Sequence, residues 1–255
     1  MQLTILGAGS SAGTPAIGCQ CDTCTSDNPR NKRTRCSSII TLDSGENILI
    51  DTGPDLRLQA LREGITHVDA VLYTHTHADH IHGIDDLRAF CQVNRQQIPL
   101  YTYKEAVTHI KDKFGYTLRE PCDFWDLPVL AINEVNAPFD LFGTTITPIP
   151  VMHGRMPILA YRIGNISYMT DVSSIPATSI PLLEGLDLLL IDCLRVTEHP
   201  THINIEQSLD YIGQIKAKQS VLIHMTHELE YEALTKMLPS NVAVGYDGMS
   251  IQISE

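Results

Sequence analysis

The sequence predicts a layered α/β sandwich. Short apolar, strand-like runs alternate with helix-like runs along the whole chain, without the glycine regularity of a dinucleotide-binding fold. Neither an internal repeat nor a low-complexity tract interrupts the alternation, and no segment reads as a linker. Residues 1–255 are therefore expected to form one domain.

The elements follow in order. Leu3–Leu6 is an apolar strand leading into Gly7-Ala8-Gly9-Ser10-Ser11-Ala12-Gly13, and residues 7–36 read as a long loop that needs a function or an anchor. Ser38–Leu42 and Asn47–Asp51 flank a turn at Asp43-Ser44-Gly45-Glu46. Asp55–Glu63 has helical spacing and stops at Gly64. Ala70–Thr74 is a buried strand, and Ile84–Cys91 and Glu105–Phe114 are helical. Strands are expected at Thr144–Val151, at Tyr161–Ile163 and Ser167–Thr170 around Gly164-Asn165, and at Leu186–Asp192. Helix Ile205–Lys216, strand Ser220–Ile223, helix Glu228–Leu238 and strand Ser250–Ile253 complete the reading.

Composition excludes several functions. No run of about 18 apolar residues exists to span a membrane. The first residues carry no basic flank of a signal peptide, so a cytoplasmic location is expected. A net charge of −12 opposes binding to nucleic-acid polymers. Seven cysteines, an odd number, argue against a disulfide framework. Gly7–Gly13 lacks the Lys-Ser/Thr ending of a phosphate-binding loop.

The strongest chemical signal is Thr74-His75-Thr76-His77-Ala78-Asp79-His80. Three imidazoles and a carboxylate directly after an apolar strand are the natural ligands of zinc, manganese or iron. Ligand-type residues recur at three other strand ends: His153, Asp171 and His224. Cys19, Cys21 and Cys24 form a second cluster, whose three thiolates suit a structural zinc short of one ligand. His67, His82 and His109 read as surface or packing residues, and Cys91, Cys122 and Cys193 as ordinary buried thiols.

His-x-His-x-Asp-His with a downstream His, Asp and His resembles the metallo-β-lactamase superfamily. The resemblance spans Leu3 to Ile253. It implies a four-layer αβ/βα sandwich with two mixed sheets and the metals at one edge. It also implies a division of ligands: His75, His77 and His153 for one metal, Asp79, His80 and His224 for the other, Asp171 bridging, and Asp51 in support. Gly18-Cys19-Gln20-Cys21-Asp22-Thr23-Cys24, Asp192-Cys193, His202 with Asn204, and Val244-Gly245-Tyr246-Asp247-Gly248-Met249 resemble the cyclic phosphodiesterases of the carbon–phosphorus lyase pathway. That likeness implies a structural zinc held by Cys19, Cys21, Cys24 and His227, within a zinc-binding loop at about residues 18–36. His224 and His227 could exchange roles.

The expected function is hydrolysis of small phosphodiesters, cyclic ones foremost, by a dinuclear centre and a bridging hydroxide. The two active-site metals are manganese or zinc, with iron a third option. His202 and Asp79 are the candidate catalytic residues, His199 being the competitor of His202. Alternatives are a thioester or lactone hydrolase, a tRNA 3′-end nuclease, which would carry a basic arm, and a metal-binding scaffold without activity. The expected partner is a small phosphodiester, not a membrane; a homodimer stays open.

Overall fold

The computed structural model describes residues 1–123 and 125–253. The first half runs β1 (Gln2–Gly7), α1 (Asp22–Thr25), β2 (Ser37–Thr41), β3 (Asn47–Ile50), α2 (Leu56–Glu63), β4 (Ala70–Leu72), α3 (Ala78–Ile81), α4 (Leu87–Asn94), β5 (Ile98–Thr102), α5 (Lys104–Phe114) and β6 (Leu130–Glu134). The second half runs β7 (Phe139–Leu141), β8 (Thr144–His153), β9 (Met156–Ile163), β10 (Ile166–Met169), β11 (Leu188–Asp192), α6 (Ile205–Ile215), β12 (Gln219–Ile223), α7 (Tyr231–Thr235), β13 (Val242–Val244) and β14 (Ser250–Gln252).

Among the described residues the strands form two sheets, ordered β14-β1-β2-β3-β4-β5-β6 and β13-β12-β11-β10-β9-β8-β7. Both are mixed: pairing is antiparallel from β14 to β3 and parallel from β3 to β6. In the second sheet it is antiparallel from β7 to β10 and parallel from β10 to β13.

Side-chain alternation explains the stacking. In β3, Ile48 and Ile50 face the core between the sheets, and Leu49 faces a second core. Ala70 and Leu72 of β4 take the first side and Val71 the second. Leu56 and Ala60 of α2, Leu87 and Phe90 of α4, and Ile110 of α5 fill that second core. Ile212 and Ile215 of α6 and Leu234 of α7 pack with the other sheet, whose β11 is buried throughout, as a parallel strand covered on both faces must be. The layers are helices, sheet, sheet, helices, the expected αβ/βα sandwich.

Local expectations change where long-range contacts intervene. The helix expected over Glu228–Leu238 shortens to Tyr231–Thr235. The preceding residues are drawn elsewhere: His227 turns to the cysteines, the Leu229 carbonyl accepts from Arg33, and Glu230 accepts from Asn31 and caps Ala233. The ladder of β4 ends at Leu72, because the Thr74 amide donates to the Asp51 carboxylate at 2.8 Å. The long loop contains α1 and is pinned by a pair of backbone bonds between Thr14 and Arg33, at 2.8 and 2.7 Å. Strands β5, β6, β7 and β13 escape the sequence reading; Pro99 and polar neighbours blur the alternation in Ile98-Pro99-Leu100-Tyr101-Thr102. Cys91 and Cys193 are buried as expected, but Cys122 is exposed beside the Arg119 guanidinium. No helix among the described residues is long and apolar enough to cross a membrane.

Candidate metal centre

The site is assembled where strands end. Asp51 follows β3, His75 and α3 follow β4, His153 ends β8, Asp171 follows β10, Asp192 ends β11 and His224 follows β12. Asp51, Asp171 and His224 adopt left-handed backbone, with φ of 61°, 58° and 60°. Each costs about 1 kcal/mol or more for a side chain with a Cβ, and such strain collects where function requires an abrupt turn. Glycines bring the supporting segments together: a Cβ on Gly83 would stand 2.1 Å from the Gly53 carbonyl oxygen, and one on Gly53 2.2 Å from that of Asp79.

Asp171 stands between two nests of nitrogen and oxygen. Its Oδ1 lies 3.8 Å from His75 Nε2 and 4.0 Å from His153 Nε2. Its Oδ2 lies 3.1 Å from His80 Nε2 and 3.4 Å from His224 Nε2. Asp79 Oδ2 joins the second nest, 3.2 Å from His80 Nε2 and 3.7 Å from His224 Nε2. The exposed His77 joins the first, its ring 4.7 Å from that of His75 and 5.0 Å from that of His153. In each nest, His75, His77, His153 and Asp171 or Asp79, His80, Asp171 and His224, the ligand-type atoms lie within 4.8 Å of one another.

The imidazoles are oriented through their other nitrogen. His80 Nδ1 is 2.8 Å from Asp51 Oδ2, His153 Nδ1 is 2.7 Å from the Thr201 carbonyl, and His75 Nδ1 is 3.0 Å from Thr74 Oγ1. This leaves Nε2 of each ring for the nest, the arrangement by which outer partners orient metal-binding histidines. Asp51 is fully buried and also accepts from the amide and hydroxyl of Thr74, both at 2.8 Å.

The donors fit divalent cations. His75 Nε2, His80 Nε2, His224 Nε2 and Asp79 Oδ2 are buried and make no hydrogen bond. Buried polar atoms are ordinarily satisfied, and bare imidazole nitrogens and carboxylate oxygens converging on one place are a cation's ligands. Burial opposes charge throughout the site, yet Asp171 and Asp51 hold His80 well above the usual histidine value. Asp171, with Asp192 and Asp79, does the same for His224. Burial likewise works against ionised Asp79, but His224 and His80 outweigh it and hold the carboxyl well below its usual range. Burial keeps His75 neutral, with its value well below the ordinary one.

His202 belongs to neither nest. Its Nε2 lies 3.9 Å from Asp171 Oδ1, and its Nδ1 is 3.0 Å from Asp192 Oδ2. Asp192 is marked in the sequence only as part of the Asp192-Cys193 resemblance, with no role given to it. It is fully buried; Oδ2 also accepts from the Val172 amide at 2.9 Å, and Oδ1 lies 3.5 Å from His224 Nδ1. Asp192, His202 and His224 could geometrically hold a cation of their own. Oδ2 already serves two donors, the Val172 amide and His202 Nδ1, so Asp192 acts here as a support for His202 rather than as a third nest. A carboxylate ending a wholly apolar parallel strand is the signal that could have found it. Thr201 is a second such residue, visible only through its contacts.

Cys19, Cys21, Cys24 and His227 form a separate cluster with ligand-type atoms within 4.8 Å of one another. Cys21 Sγ is 3.2 Å and Cys19 Sγ 3.5 Å from His227 Nδ1. The Cys24 amide and then His227 lower the Cys21 thiol to about 6. His227 thus faces the cysteines and His224 the Asp171 site, three residues apart, because the bonds Met225 N to Ala8 O and Thr226 N to Leu194 O hold an extended turn between them. His67, His82 and His109 lie outside these clusters: His67 contacts Asn47 and Asp69, and His82 packs on Phe114.

Strand ends carrying His and Asp into one edge of an αβ/βα sandwich define a metallo-β-lactamase-fold hydrolase. The chain belongs to the β-lactamase superfamily, whose domain family it matches over residues 46–225. It is 42% identical over its full length to a protein of Porphyromonas gingivalis named octanoyltransferase, and it spans about half of that relative (52%). A crystal structure described as a new diphosphatase from the PhnP family is 38% identical, with a TM-score of 0.92 over 99% of this chain and 98% of that one. Zn(2+)-bound PqqB from Methylobacterium extorquens shares the fold, with a TM-score of 0.82 at 20% identity over 99% and 100% of the two chains.

Proposed function

We propose that this chain is a metal-dependent phosphodiesterase acting on small phosphate esters, cyclic ones among them. His75, His77 and His153 hold one divalent cation, Asp79, His80 and His224 the other, and Asp171 serves both. Manganese and zinc both suit these ligands. When bound, the cations supply positive charge for phosphate oxygens and lower the pKa of attacking water. The cysteine cluster with His227 holds a structural zinc that pins the long loop.

The observation that carries this reading is His202. It sits against the nests without joining them, and its Nδ1–H donates to the buried Asp192 carboxylate at 3.0 Å. That leaves Nε2 to carry a proton, as hydrolysis of an ester with a poor leaving group requires. The likeness to a diphosphatase at 38% identity supports a phosphate-ester bond as the target. The octanoyltransferase name of the Porphyromonas relative supports a second reading, hydrolysis of acyl esters or thioesters.

One assay panel separates the two. Purified protein with added manganese should hydrolyse bis(p-nitrophenyl) phosphate, and His202→Ala should lower kcat by about 10²–10⁴-fold with unchanged metal content. Turnover of thioesters or lactones without any phosphodiester would overturn the phosphodiesterase reading.

A further inference from the structure

His202 has a neighbour whose hydrogen-bonding polarity is the reverse of its own. The segment between β11 and α6 carries both residues and is braced at its necks. Leu194 N bonds Ile203 O at 3.0 Å, Ile203 N bonds Val172 O at 2.7 Å, and Asn204 Nδ2 donates to Val196 O at 3.3 Å. The Arg195 guanidinium ties the tip through the carbonyls of Thr197, at 3.2 Å, and Glu198, at 2.7 Å. A side chain on this loop keeps a defined position.

Thr201 sets the polarity of two histidines. Its carbonyl accepts from His153 Nδ1, while its amide donates to His199 Nδ1 at 3.3 Å, with the Thr201 hydroxyl at 3.2 Å from the same nitrogen. An amide can only donate, so His199 Nδ1 is an acceptor and the neutral ring carries its proton on Nε2. Burial, and then the neighbouring His202 and Arg195, lower the ring's pKa below the usual histidine value. His199 Nε2–H has no partner among the described residues. In His202 the order is inverted: Nδ1–H points at Asp192, and Nε2 is the nitrogen that gains or loses a proton.

The rings also form a sequence from the interior outward. The His202 ring lies 4.9 Å from that of His224 and 4.7 Å from that of His153, and the half-buried His199 ring follows at 5.2 Å from His202. His199 is thus one ring beyond the nests that would take the phosphate, beside the residue that serves the ester oxygen.

We propose that His199 is a specificity-determining residue whose fixed Nε2–H donates to an oxygen on the alcohol portion of the ester, vicinal to the ester oxygen. The site then favours phosphate esters of sugars and polyols over esters lacking such an oxygen. This rests on the phosphate-ester reading above. It separates two roles: His202 moves a proton, and His199, which never needs to, reads the substituent.

The test is a matched pair of ligands differing in one hydroxyl. Adenosine 3′-monophosphate has a 2′-hydroxyl vicinal to its ester oxygen, and 2′-deoxyadenosine 3′-monophosphate lacks it. Calorimetric titration of the manganese-loaded protein should give about 3–10-fold tighter binding of the first, the size of one hydrogen bond. His199→Phe should bring the ratio to about 1, while His199→Gln, which keeps an N–H donor, should preserve it, both with wild-type metal content. Equal binding of the two ligands by the wild type overturns the proposal, as does a ratio that survives in His199→Phe. Hydrolysis of bis(p-nitrophenyl) phosphate is scored separately, so failure of the phosphodiesterase reading is distinguishable from failure of this one.

Discussion

The carboxylate of Asp192 lies 3.0 Å from Nδ1 of His202, with no solvent exposure. Its second oxygen is 3.5 Å from Nδ1 of His224, so one buried group lies against both a candidate metal ligand and the candidate proton carrier. Asp192→Asn would offer one acceptor oxygen to two imidazoles and set an N–H group against the other ring. Steady-state kinetics should show kcat lowered by about 10–100-fold, with weaker metal retention. Kinetics and metal content matching the wild type would show that Asp192 orients neither ring.

The second cluster should be separable from the first. Cys21→Ser removes a thiol already lowered to about 6, and so one readily ionised for a cation. Elemental analysis after dialysis should find one tightly held zinc fewer than in the wild type, with manganese uptake by the histidine nests retained. Unchanged zinc content would remove the structural site.

Gly154 follows the metal-ligand candidate His153 and lies against Thr201. It sits at φ 62°, and a Cβ there would stand 2.8 Å from Thr201 Cγ2. Gly154→Ala therefore strains the backbone and pushes away the residue that orients His153 and His199. Gly185→Ala is the control, since Gly185 has φ 71° with nothing within 4 Å. Both variants should lose about 1–2 kcal/mol of stability. Only Gly154→Ala should lose activity, by about 10-fold or more, because small displacements of catalytic groups are costly. Equal activity in the two variants would show that the Thr201 contact is dispensable.

Alkaline pH should act through Cys36. This thiol is fully buried against the Tyr168 hydroxyl at 3.2 Å, and burial raises it from 9.0 to about 11. Below pH 9 the thiol is neutral in both folded and unfolded chains. Between 9 and 11 only the unfolded chain ionises, so this group removes about 1.4 kcal/mol of stability per pH unit, and nothing further above 11. Cys36→Ala should thus be less stable than the wild type at pH 8, and thermal unfolding should show that gap closing by pH 10.5. A gap independent of pH would assign the alkaline loss elsewhere.

The run His75 to His80 is legible in the chain because its ligands are neighbours, placed together by one strand end and the short helix after it. Cys19, Cys21 and Cys24 are legible for the same reason. The apolar periods that reveal β1, β3, β4 and α6 are local too, which is why the layers of the sandwich can be anticipated. Other features depend on contacts between distant segments, which no local pattern encodes. Glu228–Leu238 has the composition of a helix, but Arg33, Asn31 and the cysteines compete for its first residues and shorten it. Asp192 belongs to a quoted motif, but its role emerges only when β10, β12 and the 194–204 loop bring Val172, His224 and His202 around it. The residue types of the metal ligands are thus written along the chain. Which nitrogen of each histidine faces inward, and which outward, is decided only when the sheets close and supply the opposing donors and acceptors.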